Sequence, residues 1–515
     1  MLNDIGQKTP KVDNIHKLIE YHALIAPELP AISCNGKLMT YKELNERSNQ
    51  LAHLLIKRGV KNNTFIGIAL KKSLEMIVSI TAVLKAGGAF LPIDPDYPEE
   101  RTYYMLNDSD TKHVITHYSL FKENLNPHID QICLEFHQKE IISFSKENLD
   151  TNVYSNDLAC LHYTSGSTGI PRGVMVSHHN LINAYHDWMA VYQLSPNDRH
   201  LQMANFTFDV FTGDFIRALC SGGKLVLCPK RTLLNPKKLY ELLVEEKINC
   251  AEFVPTILRR LLSYAHSNQL SLGFMRLLIC GSDNWSMHEY RETQKLCGKH
   301  TRVINSYGLT ETTIDSTYFE SSLTAPEQFN LDQTVPIGIP FPHTEIFLLD
   351  ENLQPVINGG AGEIYIGGPS LAKGYLNNRL LTSEKFIEHP VFKKRLYKTG
   401  DIGLFAPDGN LNFLGRIDNQ IKIRGIRIEL SDIENALNRH PSIAENLVSV
   451  SLDENKEKIL VAYVVLNEEF KLDAPTLRKF LQSKLPQHMI PSNFIKLEAI
   501  PITSSGKLNR KLLTA

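Results

Sequence analysis

No C-x-x-C pair occurs among the eight cysteines (Cys34, Cys133, Cys160, Cys220, Cys228, Cys250, Cys280 and Cys297), and most of them stand in apolar, strand-like segments. That spacing excludes paired-cysteine zinc ligation, and the setting is that of small hydrophobic residues, so the chain reads as a reduced, cytoplasmic protein. No apolar run approaches the ~20 residues that a membrane span needs, and the polar residues 1–11 lack the apolar core of a signal peptide. An excess of one charge is missing too. The 55 Lys and Arg face 56 Asp and Glu, a net −1, which argues against a polyanion partner such as nucleic acid. There is no internal repeat and no long low-complexity segment. What is present is ordinary for a globular protein, 43% hydrophobic and 22% charged residues, and 515 residues are too many for one core.

Between residues 40 and 305 strand-like and helix-like patterns alternate. Thr40-Tyr41-Lys42-Glu43 has the form of a capping box, Leu44, Leu51, Leu54 and Leu55 follow at helical spacing, and Gly59 ends the helix. The patterns predict strands over 65–70, 113–116, 158–164, 223–228, 249–253, 276–280 and 301–305, with helices over 76–84, after Asn180 and over 235–246. Such alternation predicts an α/β fold of mainly parallel sheets covered by helices. Residues 335–416 carry short strands between Gly, Pro and Asn turns, as in a small β subdomain. Beyond residue 418 an α+β pattern follows: strand 420–424, helix 431–439, strands 445–451 and 458–465, helix 475–484. The expected division is a core over 1–416 and a separate C-terminal domain over 417–515.

The most informative stretch is Tyr163-Thr164-Ser165-Gly166-Ser167-Thr168-Gly169-Ile170-Pro171-Arg172-Gly173-Val174. Glycines let backbone N–H groups approach an anion, hydroxyls add donors, and Arg172 adds a charge that phosphate oxygens can chelate. The apolar run Leu158, Ala159, Cys160, Leu161 reads as a strand feeding this loop. It is not a P-loop, which needs Lys followed by Ser or Thr; alone, it could be a flexible loop.

Seven further motifs accompany it. They are Phe208-Asp209-Val210; Asn305-Ser306-Tyr307-Gly308-Leu309-Thr310-Glu311; Gly362-Glu363-Ile364 with Lys373-Gly374-Tyr375; Tyr397-Lys398-Thr399-Gly400-Asp401; Gly415-Arg416-Ile417-Asp418 with Gln420-Ile421-Lys422-Ile423-Arg424-Gly425; Leu485-Pro486-Gln487-His488-Met489-Ile490-Pro491; and Gly506-Lys507-Leu508-Asn509-Arg510. With these motifs in this order, the chain resembles the adenylation domains of nonribosomal peptide synthetases, members of the ANL family of acyl-adenylate-forming enzymes, over nearly its whole length. The resemblance implies the ANL fold: two mainly parallel α/β subdomains and a small β subdomain in the large N-terminal domain, then a mobile α+β C-terminal domain.

It also implies roles that make physical sense. Asn305 would meet the adenine edge, Tyr307 would lie against its face, and Gly308 would belong to the same nucleotide loop. Asp401 would accept the ribose hydroxyls, with Arg416 and Lys422 at the ribose and phosphate end. Thr164, Ser165, Gly166, Ser167, Thr168, Gly169 and Arg172 would hold the departing β- and γ-phosphates of ATP. Thr310 would donate to the α-phosphate and Glu311 would ligate Mg²⁺. Lys507 would bridge the substrate carboxylate and the α-phosphate, offsetting the repulsion of two anions. Asp418 would be a hinge about which the C-terminal domain swings between adenylation and thioester formation, withdrawing Lys507 and presenting residues 422–425, where Gly425 makes room for a phosphopantetheine arm. Three positions depart from the family pattern: Arg172 where Lys is usual, Leu309 where Pro is usual and Asn509 where Asp is usual.

The family's amino-acid pocket maps onto Asp209, Val210, Gly213, Glu252, Leu278, Cys280 with Gly281, Ser306, Ile314 and Asp315, closed by Lys507. Asp209 stands where the family holds the substrate α-ammonium. Glu252 and Asp315 suit a terminal cation, and Gly213 leaves depth for a long side chain. The expected substrate is therefore a basic amino acid: ornithine, then lysine, then arginine. Glu252 solvated at its strand end and Asp315 capping the next segment is the structural alternative. No carrier domain follows Lys507 and no HHxxxDG motif occurs, so the expected acceptor is a carrier protein supplied in trans. A ligase loading a small amino acid, an acyl-CoA synthetase and a catalytically silent scaffold are the competing readings.

Overall fold

The computed structural model describes residues 12–120, 128–165, 170–321, 331, 333–357, 359–417, 420–454, 457–467 and 469–500. Contacts divide the chain into two compact units: residues 1–95, 108–162 and 173–417 form the first, and residues 96–107, 163–172 and 418–515 form the second.

In the first unit, the helix Tyr41–Lys57 starts as the sequence predicts. Thr40 Oγ1 accepts from the Glu43 N–H at 3.2 Å, and Glu43 Oε2 accepts from the Thr40 N–H at 2.9 Å, so two orphan donors are satisfied reciprocally. The helix Leu74–Lys85 is buried at nearly every position, as a helix apolar all round must be. It begins two residues before the predicted 76–84, where Ser73 is the N-cap and its Oγ accepts from the Met76 N–H at 3.2 Å.

A nine-stranded sheet carries six parallel strands at its centre, from Pro30–Cys34 through Lys224–Leu227, Arg199–Gln202, Cys250–Phe253 and Leu277–Gly281 to Arg302–Tyr307. Antiparallel strands close its edges. A seven-stranded sheet is parallel across Leu158–Thr164, Ala89–Pro92, Phe65–Ala69, His113–Thr116 and Asp130–Cys133. A smaller antiparallel sheet spans Glu345–Leu349, Gly362–Gly367, Arg395–Phe405 and Leu411–Arg416. All eight cysteines are buried and unbridged.

The second unit holds the hairpin Gln420–Ile423 and Ile426–Glu429, the helix Leu430–Leu437, a three-stranded sheet and the helix Ala474–Gln482. It also takes the segment with the stub of the phosphate loop. Ser165 Oγ donates to the Arg427 carbonyl at 3.1 Å, and Tyr163 Oη donates to the Met105 carbonyl at 3.3 Å.

Candidate active site

The strand Arg302–Tyr307 ends in a loop folded tightly on itself. At Gly308 a Cβ would lie 1.8 Å from the Ile314 carbonyl oxygen, so only glycine fits. Thr313 and Ile314 both take left-handed conformations, φ +60° and +78°, which cost β-branched residues about 1–3 kcal/mol each. The Thr313 hydroxyl secures the loop by donating to the Ser370 carbonyl at 2.6 Å, and the Ile314 N–H donates to the Leu309 carbonyl at 3.2 Å.

Four side chains predicted for the nucleotide gather around this loop. Tyr307 Oη donates to Asp401 Oδ2 at 2.5 Å, and Arg416 bridges Asp401 Oδ1 and the Thr399 carbonyl. Asp401 follows Gly400 at φ +76° and is 2% exposed. Burial, then the Asp401 charge, holds the Tyr307 hydroxyl well above the usual tyrosine range. Its ring is thereby fixed at one end. Asn305 donates to the Pro336 carbonyl at 2.7 Å and accepts from Trp285 Nε1 at 2.9 Å, leaving one amide hydrogen and one lone pair for a base edge. Glu311 is 1% exposed and accepts from Tyr375 Oη at 2.8 Å. One buried carboxylate of this kind suits Mg²⁺ carried in on phosphate oxygens, since that ion is usually held by one or two carboxylates plus its substrate. Thr310 is half-buried beside it in sequence.

The second unit holds Thr164, Ser165, Arg172, Lys422 and Gly425. Arg424 and Gly425 have φ +53° and +77° between the paired Ile423 and Ile426, the two-residue hairpin geometry that demands left-handed residues. Gly166, Ser167, Thr168, Gly169, Asp418 and Lys507 lie outside the described residues.

The expected amino-acid pocket is built around a group that sequence reasoning missed. In the helix Asp209–Cys220, Val210, Gly213, Asp214 and Arg217 share a face by their three- and four-residue spacing. Arg217 is 2% exposed, and its guanidinium reaches Asp214 Oδ1 at 3.0 Å, Asp315 Oδ2 at 3.1 Å and the Glu252 carboxylate at short range. It lies over the Trp188 ring at 4.8 Å, and Trp188 Nε1 also donates to Asp315 Oδ2, at 2.8 Å. Ser306 hydrogen-bonds Asp315, and the Asp209 charge acts on it too. Three carboxylates therefore share one guanidinium. Burial pushes Glu252 up to about 8 and Asp214 up to about 6, and raises Asp315. Burial works against the charge of Arg217, but the three acids, Glu252 first, outweigh it and hold the guanidinium above the usual arginine range.

Two expected pocket residues face elsewhere. The register pairs Glu252 with Ile279 and Ser306 with Gly281, and paired residues of parallel strands share a face. Leu278 and Cys280 point to the opposite face, where they pack with Ala251, Phe253 and Trp285. On the face that carries Glu252 and Ser306 stand Ile279 and Gly281. At Gly281 a Cβ would come within 2.5 Å of Ser306 Oγ, so this glycine permits the close approach of the two strands.

The AMP-binding enzyme profile matches residues 19–376, and that of the AMP-binding enzyme C-terminal domain matches residues 432–507. The chain belongs to the AMP-binding enzyme family. Among curated proteins, this AMP-binding enzyme is similar to tyrocidine synthase 3 of Brevibacillus parabrevis, 41% identical over 98% of this chain and 8% of that one. Gramicidin S synthase 2 of Brevibacillus brevis is 40% identical over 97% of this chain and 11% of its own length. Bacitracin synthase 2 of Bacillus licheniformis is 40% identical over 96% and 19%. The chain thus spans 8–19% of the length of these relatives. Among solved structures, an artificially fused adenylation–PCP di-domain of a nonribosomal peptide synthetase from Klebsiella oxytoca superposes with a TM-score of 0.82 at 23% identity, covering 95% of this chain and 94% of that one. The o-succinylbenzoate CoA synthetase of Bacillus subtilis does so at 0.82 and 22%, covering 96% and 98%. The fold is that of the adenylate-forming ligases. Among the described residues, no helix is long and apolar enough to cross a membrane.

Proposed function

We propose that this enzyme activates a basic amino acid, ornithine before lysine before arginine, as its adenylate and then passes it to the phosphopantetheine thiol of a carrier protein in trans. The observation that carries the substrate is the charge imbalance beside Gly213: Asp214, Glu252 and Asp315 all pair with the guanidinium of Arg217, with Asp209 at the start of the same helix and the Lys72 charge acting on Asp214 alone of the three. Three buried acids that share one guanidinium carry an excess of negative charge, which a substrate's terminal ammonium would offset and a neutral side chain would not.

In the first step a substrate carboxylate oxygen attacks the α-phosphorus of ATP, and the bond to the β-phosphate bridging oxygen breaks, releasing pyrophosphate. The protein's share is positioning and charge. Asp209 holds the α-ammonium. Asn305, the fixed ring of Tyr307, and Asp401 with Arg416 hold the nucleoside. Glu311 would hold Mg²⁺, which when bound would supply charge neutralisation at the phosphates. Thr164, Ser165, Ser167, Thr168 and Arg172 bind the leaving phosphates, Thr310 donates to the α-phosphate, and Lys507 bridges the joining anions. In the second step the thiol sulfur attacks the adenylate carbonyl and AMP leaves. Residues 417–515 act as the mobile domain, hinged at Asp418.

Amino-acid-dependent ATP–pyrophosphate exchange across a substrate panel tests this, with ornithine expected to lead. Leucine or phenylalanine in the lead would defeat the basic pocket and leave the family untouched. No exchange with any acid would favour a silent scaffold. The two steps are separable: Gly425→Ala should leave exchange within about threefold while lowering carrier loading at least about tenfold, because a Cβ on a left-handed turn residue distorts the hairpin offered to the thiol arm.

A further inference from the structure

The proposed substrate reading leaves one position unassigned. The space that Gly213 opens is already filled by this chain itself. A Cβ on Gly213 would stand 3.2 Å from Arg217 Nη2 and 3.3 Å from its Cζ, as well as 3.3 Å from Ile314 Cδ1. Arg217 sits one helical turn beyond Gly213, so the missing side chain at Gly213 is what allows the guanidinium to lie back along its own helix. From there it reaches between Glu252 and Asp315, the two carboxylates expected to receive the substrate's terminal cation. The face of Trp188 closes one side, and the Trp188 indole fixes the Asp315 oxygen that Arg217 also holds. A void of about 10 Å³ adjoins the cluster, lined by Arg217, His200, Asp214 and Glu252 among others. Two buried polar atoms near this cluster have no hydrogen-bond partner, His200 Nε2 and Tyr192 Oη, so the surroundings of the cluster are polar and not packed shut by hydrocarbon.

We propose that Arg217 is a specificity-determining residue: a resident guanidinium that occupies the end of the amino-acid pocket, holds Glu252 and Asp315 in place, and so limits the substrate to a short side chain carrying a terminal ammonium. This inference rests on the basic-substrate reading above and deepens it. A pocket that ends in a fixed guanidinium has no place for a second one. It therefore ranks ornithine over lysine by length and rejects arginine by both length and like charge. Each methylene of misfit in such a pocket is worth about 10–200-fold in discrimination. Arg217 acts on the substrate through the two carboxylates, and is a positioning residue in that sense.

The test is ATP–pyrophosphate exchange with ornithine, lysine and arginine, using the wild-type chain and Arg217→Ala, each with and without millimolar guanidinium chloride. The wild type should prefer ornithine to arginine at least about tenfold and ignore guanidinium at these concentrations. Arg217→Ala should lose ornithine activation at least about tenfold, mostly in KM, gain exchange with arginine, and recover ornithine when guanidinium fills the vacated position. A residue with a merely structural role would show neither the gain with arginine nor the recovery. If the Ala variant does not fold, Arg217→Gln, which removes the charge and shortens the side chain while keeping an amide donor, should move the ornithine-to-arginine ratio in the same direction. An unchanged ratio in a folded variant, with the wild type still led by ornithine, overturns this inference alone. A wild type led by a neutral amino acid overturns the substrate reading and this inference with it.

Discussion

Lys507→Ala should lose amino-acid-dependent ATP–pyrophosphate exchange by about a hundredfold to a thousandfold, the effect of removing one fixed donor from the centre of a charged transition state. Adenylation joins two anions, and the repulsion between a carboxylate and an α-phosphate is greatest as their oxygens come within bonding distance. A cation that bridges both is worth most at that instant, so its loss should appear in kcat more than in the KM for ATP. Lys507→Arg should not restore the rate, because a planar guanidinium cannot act as the compact point charge that an ammonium provides between two oxygens. Transfer of a chemically supplied aminoacyl-adenylate to the carrier thiol should be spared in both variants, since the second step no longer joins two anions. A Lys507→Ala variant exchanging within about threefold of the wild type would remove the lysine from the mechanism and leave the loop cations to be examined in its place.

The elements and the site were legible to different depths, for physical reasons. Alternating apolar runs and the capping box at Thr40 place the sheets and the first long helix, because periodicity and caps are local properties. Which side of the central sheet a residue faces is not local. The run from Leu277 to Cys280 is buried on both sides of a parallel sheet, so it shows no alternation, and nothing in it says that Ile279 rather than Leu278 shares the face of Glu252. Register with the neighbouring strands decides that, and register emerges only on folding. Arg217 was hidden for a related reason. Its partners Glu252 and Asp315 are 35 and 98 residues away. A signal was nonetheless present: the one basic residue of a mostly buried helix, one turn past a glycine and three residues past Asp214. A buried cation on a core-facing stripe requires acids opposite it, and two acids had already been singled out.

Above about pH 8, where the carboxylate is ionised, Glu252→Gln should weaken ornithine-dependent exchange by the ~2–5 kcal/mol typical of truncating one partner of a buried charge pair, while exchange with a neutral amino acid rises or stays level. The amide keeps an oxygen for Arg217, so the helix and strand remain joined and the loss reads out recognition. The same carboxylate gives the wild type a pH signature. Burial pushes Glu252 up to about 8, against the lowering effect of Arg217. The groups facing it are Arg217 and Asp214 from the helix Asp209–Cys220, Asp315 from the loop after Tyr307, and Tyr192 from the helix His178–Tyr192. His200, on the neighbouring strand, is driven down to about 4 by burial and stays neutral, and Asp214 at about 6 titrates lower. Only ionised Glu252 attracts a terminal ammonium. The KM for ornithine should therefore fall as pH rises from about 6.5 towards 8, by at most tenfold per unit, and then level off. Glu252→Gln should flatten that slope. Folding carries the opposite sign: the folded state holds a proton that the unfolded chain has released above about 4.5, so this group's contribution to stability is present at low pH and is lost as pH rises through about 8. Bound ornithine supplies the missing cation, so the thermal shift it produces should grow over the same interval. A flat KM profile in the wild type, or a Gln variant that keeps the slope, would show that another group receives the substrate's charge.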